Sequence, residues 1–256
     1  MSRAMKRLIK STMNHFPSLR KMAYENYRLF NFLGAYRSAN KLKNQDLEEI
    51  FTEHYNQNVW INDQSVSGDG STVEYTEKLR TELPFLFSKF EIGSILDAPC
   101  GDYNWFQYVD RSEGILYVGG DIVAKLVEKN NERYGNPNTR FEKLDITTDP
   151  LPAADLMICR DALFHFSDSH ILRTLENFAN SEVKYILTTS HTDCKSNFDI
   201  VTGQFRLLNL EKPPFNFGEP LFTIDDWVEG FPVRKMCLWD RGSMAEFIAK
   251  MSMTDA

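Results

Sequence analysis

The run Ser94-Ile95-Leu96-Asp97-Ala98-Pro99-Cys100-Gly101-Asp102 constrains this chain most: apolar residues close on an acid and then on a tight turn. Parallel strands are covered by helices on both faces, and ligands gather where their carboxyl ends meet helix starts, so Ile95 and Leu96 read as strand and Asp97 as its mouth. There a carboxylate can face an amine. A dinucleotide fingerprint would need G-x-G-x-x-G, whereas Pro99 and Tyr103 leave too little bare backbone for a pyrophosphate to approach. A ligand without a pyrophosphate fits better.

Further strands follow in order. Leu116 to Ile122 contains Asp121, Phe141 to Ile146 contains Asp145, Ala154 to Asp161 supplies a fourth strand and Lys184 to Thr189 a fifth. An acid ~20 residues beyond the first turn is where ribose-binding acids sit in such folds, which makes Asp121 the ribose candidate. Leu96-Asp97-Ala98-Pro99-Cys100-Gly101-Asp102-Tyr103 resembles motif I of the class I S-adenosylmethionine-dependent methyltransferases, usually Leu-Asp-x-Gly-x-Gly-x-Gly, with Pro99 and Tyr103 replacing two glycines.

The resemblance implies an α/β fold: a Rossmann-like sandwich, with helices on both faces of a mostly parallel seven-stranded sheet. It places a basic N-terminal helical extension at 1–64 before a donor-binding domain at 65–256. S-adenosylmethionine is the implied donor, with Asp97, Ala98, Pro99, Gly101, Asp121, Ile122, Asp145, Ile146, Arg160 and Ser71 as its contacts. Asp97 and Gly101 would serve its amino acid end and Asp145 would lie near its adenine amino group. Ser67 and Gly70 are secondary candidates, since a loop at 65–71 can fold over the donor or simply cap the following helix, expected over 73–87.

A narrower resemblance, over roughly 65–241, rests on four segments. They are the Pro-Cys-Gly-Asp turn with Asn104-Trp105, Arg160 to Ser167, Gly203 to Leu210, and Pro213-Pro214-Phe215. These look like small methyltransferases associated with bacterial surface-polysaccharide assembly. The implied reaction is O-methylation of a sugar, or of a lipid-linked or nucleotide-linked saccharide. Two other readings stay open: methylation of a small metabolite or a protein nitrogen, and an inactive donor-binding scaffold at a membrane.

Methyl transfer to a hydroxyl asks for in-line positioning and a base, and histidine titrates nearest neutrality. His165, four residues past Asp161, is the first candidate; Asp161 would orient it or bind the donor's amino group. The bland reading packs His165 between Phe164 and Phe166. His191 is the alternative base. Asp102, Trp105, Arg206 and Asn209 are the candidate acceptor contacts, the last two within a segment from Thr192 to Pro220 that is long enough to be a binding loop or lid. Arg206 can instead pair with Glu211 or Glu219.

With 42% hydrophobic and 25% charged residues over 256 positions, one sizeable core is affordable, and no apolar run is long enough to span a membrane. Four scattered cysteines without a C-x-x-C pair read as reduced thiols, and the expected location is cytoplasmic. No zinc spacing occurs, and metal ligation is not favoured: Asp193 and Asp199 near His191 could hold a magnesium ion, yet hard-cation sites cluster carboxylates more closely. Charge is uneven: residues 1–43 carry +9, leaving −16 for the rest, which disfavours nucleic acid as a partner of the body. Met5, Leu8, Ile9, Met13 and Phe16 recur at helical spacing among Arg3, Lys6, Arg7 and Lys10, ahead of Pro17. Residues 1–25 can therefore rest on the inner face of an anionic membrane or pack over the core with their lysines in water, and an Arg-rich, acid-poor transit peptide is a third reading ranked below both. Asp46 to Phe51 suggests another helix, Asp225 to Trp227 a turn or short helix, Arg234 to Trp239 a last strand and Met244 to Met251 a final helix. Oligomeric state is open.

Overall fold

The computed structural model describes residues 12–13, 15–26, 38–111 and 114–254. Seven strands form one sheet: β1 (Ser94–Asp97), β2 (Leu116–Asp121), β3 (Thr139–Lys143), β4 (Leu156–Cys159), β5 (Tyr185–Ser190), β6 (Phe222–Asp225) and β7 (Lys235–Asp240). Their spatial order is β3-β2-β1-β4-β5-β7-β6. The first five pair in parallel, and β7 runs antiparallel to both β5 and β6. This is the expected Rossmann-like sandwich.

Alternation along the strands sends neighbouring side chains to opposite faces, so the central strands feed two cores. Leu96, Val118, Met157 and Ile186 enter one core with α5 (Asp168–Ala179) and α6 (Arg241–Thr254). Ile95, Tyr117, Ile158 and Leu187 enter the other with α3 (Glu77–Lys89) and Val127 of α4 (Ala124–Tyr134). The central strands β1, β4 and β5 bury nearly every side chain, which explains their continuous apolar runs, whereas the edge strands β3 and β6 stay partly open.

Several expected boundaries shift. The segment before α3 does not act as a side-chain cap: Asp69–Ser71 forms a 3-10 turn, α3 starts only at Glu77, and Thr76 makes no capping hydrogen bond. Pro17 opens a helix, α1 (Pro17–Glu25), at the position where a missing N–H costs nothing. The basic helix expected ahead of it lies mostly outside the described residues. The Asp46 helix extends as α2 (Leu47–Gln57), opened by a capping box in which Asp46 and Glu49 satisfy each other's backbone amides. Asp225, read from sequence as part of a turn or short helix, ends β6.

The 192–220 segment contains no regular element, as expected, but it is packed rather than lid-like. Leu208, Leu210, Phe215 and Phe217 are buried in the core shared with α5. Asn209 Nδ2 donates to the carbonyls of Thr192 and Cys194, and Asn197 Nδ2 to those of Asn209 and Pro213. The four cysteines are free thiols, three of them buried. Among the described residues no helix is long and apolar enough to cross a membrane.

Candidate active site

At the carboxyl ends of the first strands the chain turns through Pro99 to Gly101, and Asp121 knits two of those ends together. Its Oδ2 accepts from the Gly101 amide and its Oδ1 from the Val123 amide, both at 3.0 Å. Burial still pushes Asp121 up to about 6. Asp97 is buried beside it, and among the described residues its carboxylate accepts from the Tyr117 hydroxyl at 2.7 Å. Burial pushes Asp97 up to about 7, against the lowering influence of Tyr117 and Arg160. Asp145 accepts from both the amide and the hydroxyl of Thr147. All three acids line one cavity, as do Ser71, Pro99, Gly101, Ile122, Ile146 and Arg160. Ala98 does not: its side chain is fully buried in the sheet core, the face to which strand alternation directs it.

The 65–71 loop lies against this turn. Ser65 Oγ and the Val66 amide both donate to Asp102, at 2.9 Å each. Asp102 is thus a clasp for the loop and does not line the cavity, contrary to the expected acceptor contact. Gly101 has φ +58°, and a Cβ there would stand 2.3 Å from Ser67 Oγ. Gly70 is equally tight, since its Cβ would meet Asp161 Oδ2 at 2.4 Å. Ser67, Gly70 and Ser71 border the cavity.

Behind the loop sits a buried charge cluster that sequence reasoning missed in half of its members. Arg160 makes a bidentate pair with Asp226, Nε to Oδ2 at 3.0 Å and Nη2 to Oδ1 at 2.9 Å. Arg234 Nη1 lies 2.9 Å from Asp161 Oδ1, and its Nε donates to the Asp226 carbonyl. Asp161 stands at φ +57°, with its amide donating to Thr189 Oγ1. Burial alone would raise its pKa, but the Arg160 and Arg234 guanidiniums outweigh it and hold Asp161 ionised. Arg160 also lies over Trp105, whose ring borders the cavity. Asp226 and Arg234 carry no local motif, because their pairing arises only when the β6–β7 connection folds over β4.

Both candidate histidines line the same cavity, with Asp161 raising the pKa of each. They differ in their hydrogen bonds. His165 Nδ1 lies 2.8 Å from the Gln204 carbonyl, which can only accept, so the neutral ring carries its proton on Nδ1 and its lone pair on Nε2. His191 Nδ1 accepts from the Leu208 amide at 3.3 Å, which assigns its proton to Nε2. Burial lowers His165 to about 4 and His191 to about 3. Both are neutral near pH 7.

The remaining wall is aromatic. Ring contacts run from Phe51 through His54 and Trp60 to His165, then by Phe205, Tyr24 and Phe231 to Tyr75. Leu47, Phe51, Tyr55 and Trp60 line the cavity from the segment read as an extension. The other two expected acceptor contacts, Arg206 and Asn209, are both about 1% exposed and lie away from the cavity. Arg206 pairs with Asp168 at 2.6 Å, not with Glu211 or Glu219, and donates to the Phe166 carbonyl, while Asn209 staples its own loop. Among the described residues no cluster of His, Cys, Asp or Glu is placed to hold a metal ion.

No family model and no curated protein matches the chain. Solved structures share its fold. The methyltransferase domain of bacterial CtHen1 aligns with a TM-score of 0.50 at 9% identity, covering 65% of this chain and 98% of that one. The N-methyltransferase NodS from Bradyrhizobium japonicum WM9 gives 0.50 at 9% identity, over 65% and 96%. Magnesium protoporphyrin IX methyltransferase (ChlM) from Synechocystis PCC 6803, with bound SAM, gives 0.50 at 16% identity, over 76% and 97%.

Proposed function

We propose that the protein is an S-adenosylmethionine-dependent methyltransferase that methylates a hydroxyl of a saccharide, free or linked to a lipid or nucleotide. The observation that carries the reaction type is the His165 ring: neutral, lining the cavity, with Nδ1 committed to a carbonyl and Nε2 left as a base. The donor supplies an electrophilic methyl group. Asp97, which burial raises despite Tyr117 and Arg160, would receive an ammonium; Asp121 would accept from ribose hydroxyls and Asp145 from the adenine amino group.

His165 Nε2 then takes the proton of the acceptor hydroxyl as the oxygen becomes more acidic in the transition state. The ionised Asp161 favours the imidazolium that results. His191, protonated on Nε2, serves better as a hydrogen-bond donor than as a base. Trp105 and the aromatic wall support a saccharide, since the apolar face of a sugar ring packs against aromatic faces while its hydroxyls reach polar groups. Methyl transfer to a sugar on its way into surface polysaccharide, on the cytoplasmic side, is the setting this reading favours.

His165→Ala is expected to reduce turnover roughly 10²–10⁴-fold with donor affinity little changed, and His191→Ala to cost less. Single-turnover rates with radiolabelled donor and a panel of saccharide acceptors measure this. A larger loss at His191 would move the base there, and transfer to amines or metabolites alone would move the acceptor class.

A further inference from the structure

We infer that the outer face of α1, together with Trp227, is a docking surface for an anionic membrane. The helix is held to the body from one side. Arg20 donates to the Glu229 and Gly230 carbonyls and lies 4.1 Å from the Phe231 ring centre, and Tyr24 packs against Phe205 and Phe231. No residue of α1 is buried. At 100° per residue, Leu19 and Met22 stand on the side away from Arg20 and Tyr24. They are 47% and 43% exposed, and Phe16, just ahead of the helix, is 58% exposed. Trp227, 40% exposed, lies two residues before the carbonyl that Arg20 holds, which brings a ring suited to a membrane interface to the same rim.

Charge selects the occupant. The first eleven residues carry Arg3, Lys6, Arg7 and Lys10 and no acid, and Lys21 lies within the helix, whereas residues 44–256 carry −16. An apolar face joined to a basic segment suits an anionic bilayer, where apolar burial and cation attraction add. Glu25, exposed at the end of α1 and 3.7 Å from Lys21, and Glu229, exposed on the same rim, are the acids that oppose docking, and the cations of the first eleven residues outnumber them. The inner side of the same helix borders the cavity, because Tyr24 lines it with Phe231 and Pro232. If the methyltransferase reading holds, a docked molecule would take its acceptor from the bilayer surface, which favours a lipid-linked saccharide over a free one; the docking itself does not depend on that reading.

The test is cosedimentation of the full chain with phosphatidylcholine vesicles, with and without roughly one-third phosphatidylglycerol, beside donor calorimetry on the same samples. The expected result is binding to the anionic set, weakened by salt, and a loss of roughly tenfold or more in Leu19→Asp/Met22→Asp with donor affinity retained. Phe16→Ser/Trp227→Ser is the second variant, should the first fail to fold. Equal binding to neutral vesicles, binding unaffected by either variant, or a dimer in sedimentation velocity that the variants dissolve would overturn the proposal. Absence of donor binding in the parent chain would count against the methyltransferase reading while leaving the vesicle result to stand by itself.

Discussion

Asp97 shows how one buried carboxylate can report a ligand. Folding takes it from water, gives it the Tyr117 hydroxyl as partner and pushes it up to about 7, so near neutrality the folded chain binds a proton that an unfolded chain would release. Its contribution to stability is therefore present at low pH and lost as pH rises through about 7. His165 works in the opposite sense: burial lowers it to about 4, so its share of stability is present above the free histidine value and is lost as pH falls toward that figure. The two trends oppose each other in overlapping windows, and a melting curve alone will not separate them. Donor affinity will. An ammonium beside Asp97 favours the ionised carboxylate, so affinity should rise between about pH 5.5 and 7.5, before an α-amino group itself loses its proton near 7.7–8.0. Calorimetry across that window should show the rise in the parent and a flat profile in Asp97→Asn, with roughly 1.5–3 kcal/mol lost at the upper end. A parent profile without the rise would remove the ammonium from Asp97.

Among the elements, the loop over 65–71 couples the turn after β1 to the charge cluster behind it. Asp102 receives two hydrogen bonds from the loop, and Gly70 permits its approach to Asp161. Asp102→Ala removes both bonds and leaves the Val66 amide without its acceptor, a change of about 1.5–3 kcal/mol for bonds to a charged group. Denaturant unfolding should show that loss, with a parallel weakening of donor binding; full donor affinity would show that the loop does not cover the donor. What was legible in the sequence follows the same division. The ends of β1 and β2 were readable because a buried parallel strand is an apolar run and Asp97 and Asp121 close these two, whereas β3 is partly exposed and ends two residues before Asp145, so the strand expected over 141–146 was set too late. Ala98 was misplaced by reading the turn as a block, when strand alternation already sent its side chain inward. Arg206 was misread because a buried guanidinium that braces a loop and one that grips an acceptor look alike in sequence. Asp226, Arg234 and the aromatic wall left no local signal, since their meeting depends on connections between distant segments.

At the scale of the whole molecule, the division into an extension and a catalytic body is less sharp than composition implies. Ile50 of α2 is 3% exposed and Leu42 is 8% exposed, both within the first 64 residues. Phe51 rests against Phe166, Trp60 against His165, and a Cβ at Gly68 would touch Trp60 at 3.0 Å, so the start of the body is shaped to receive this segment. The extension thus supplies one wall of the site and covers one end of the core. Removing residues 1–64 would expose the partners of Leu42 and Ile50, at about 2 kcal/mol for each such side chain, and each kcal/mol moves the midpoint about 2–4 °C in a chain of this size. A chain of residues 65–256 should therefore melt on the order of 10 °C lower. Its donor binding should weaken as well, because Leu47, Phe51 and Tyr55 no longer close the cavity. Removing only residues 1–15 spares those contacts and should leave melting and donor binding near the parent while reducing vesicle binding. Calorimetric melts and donor titrations of the two truncations separate a wall of the active site from a surface anchor. Parent-like behaviour of 65–256 in both assays would return the first 64 residues to the role of an appendage.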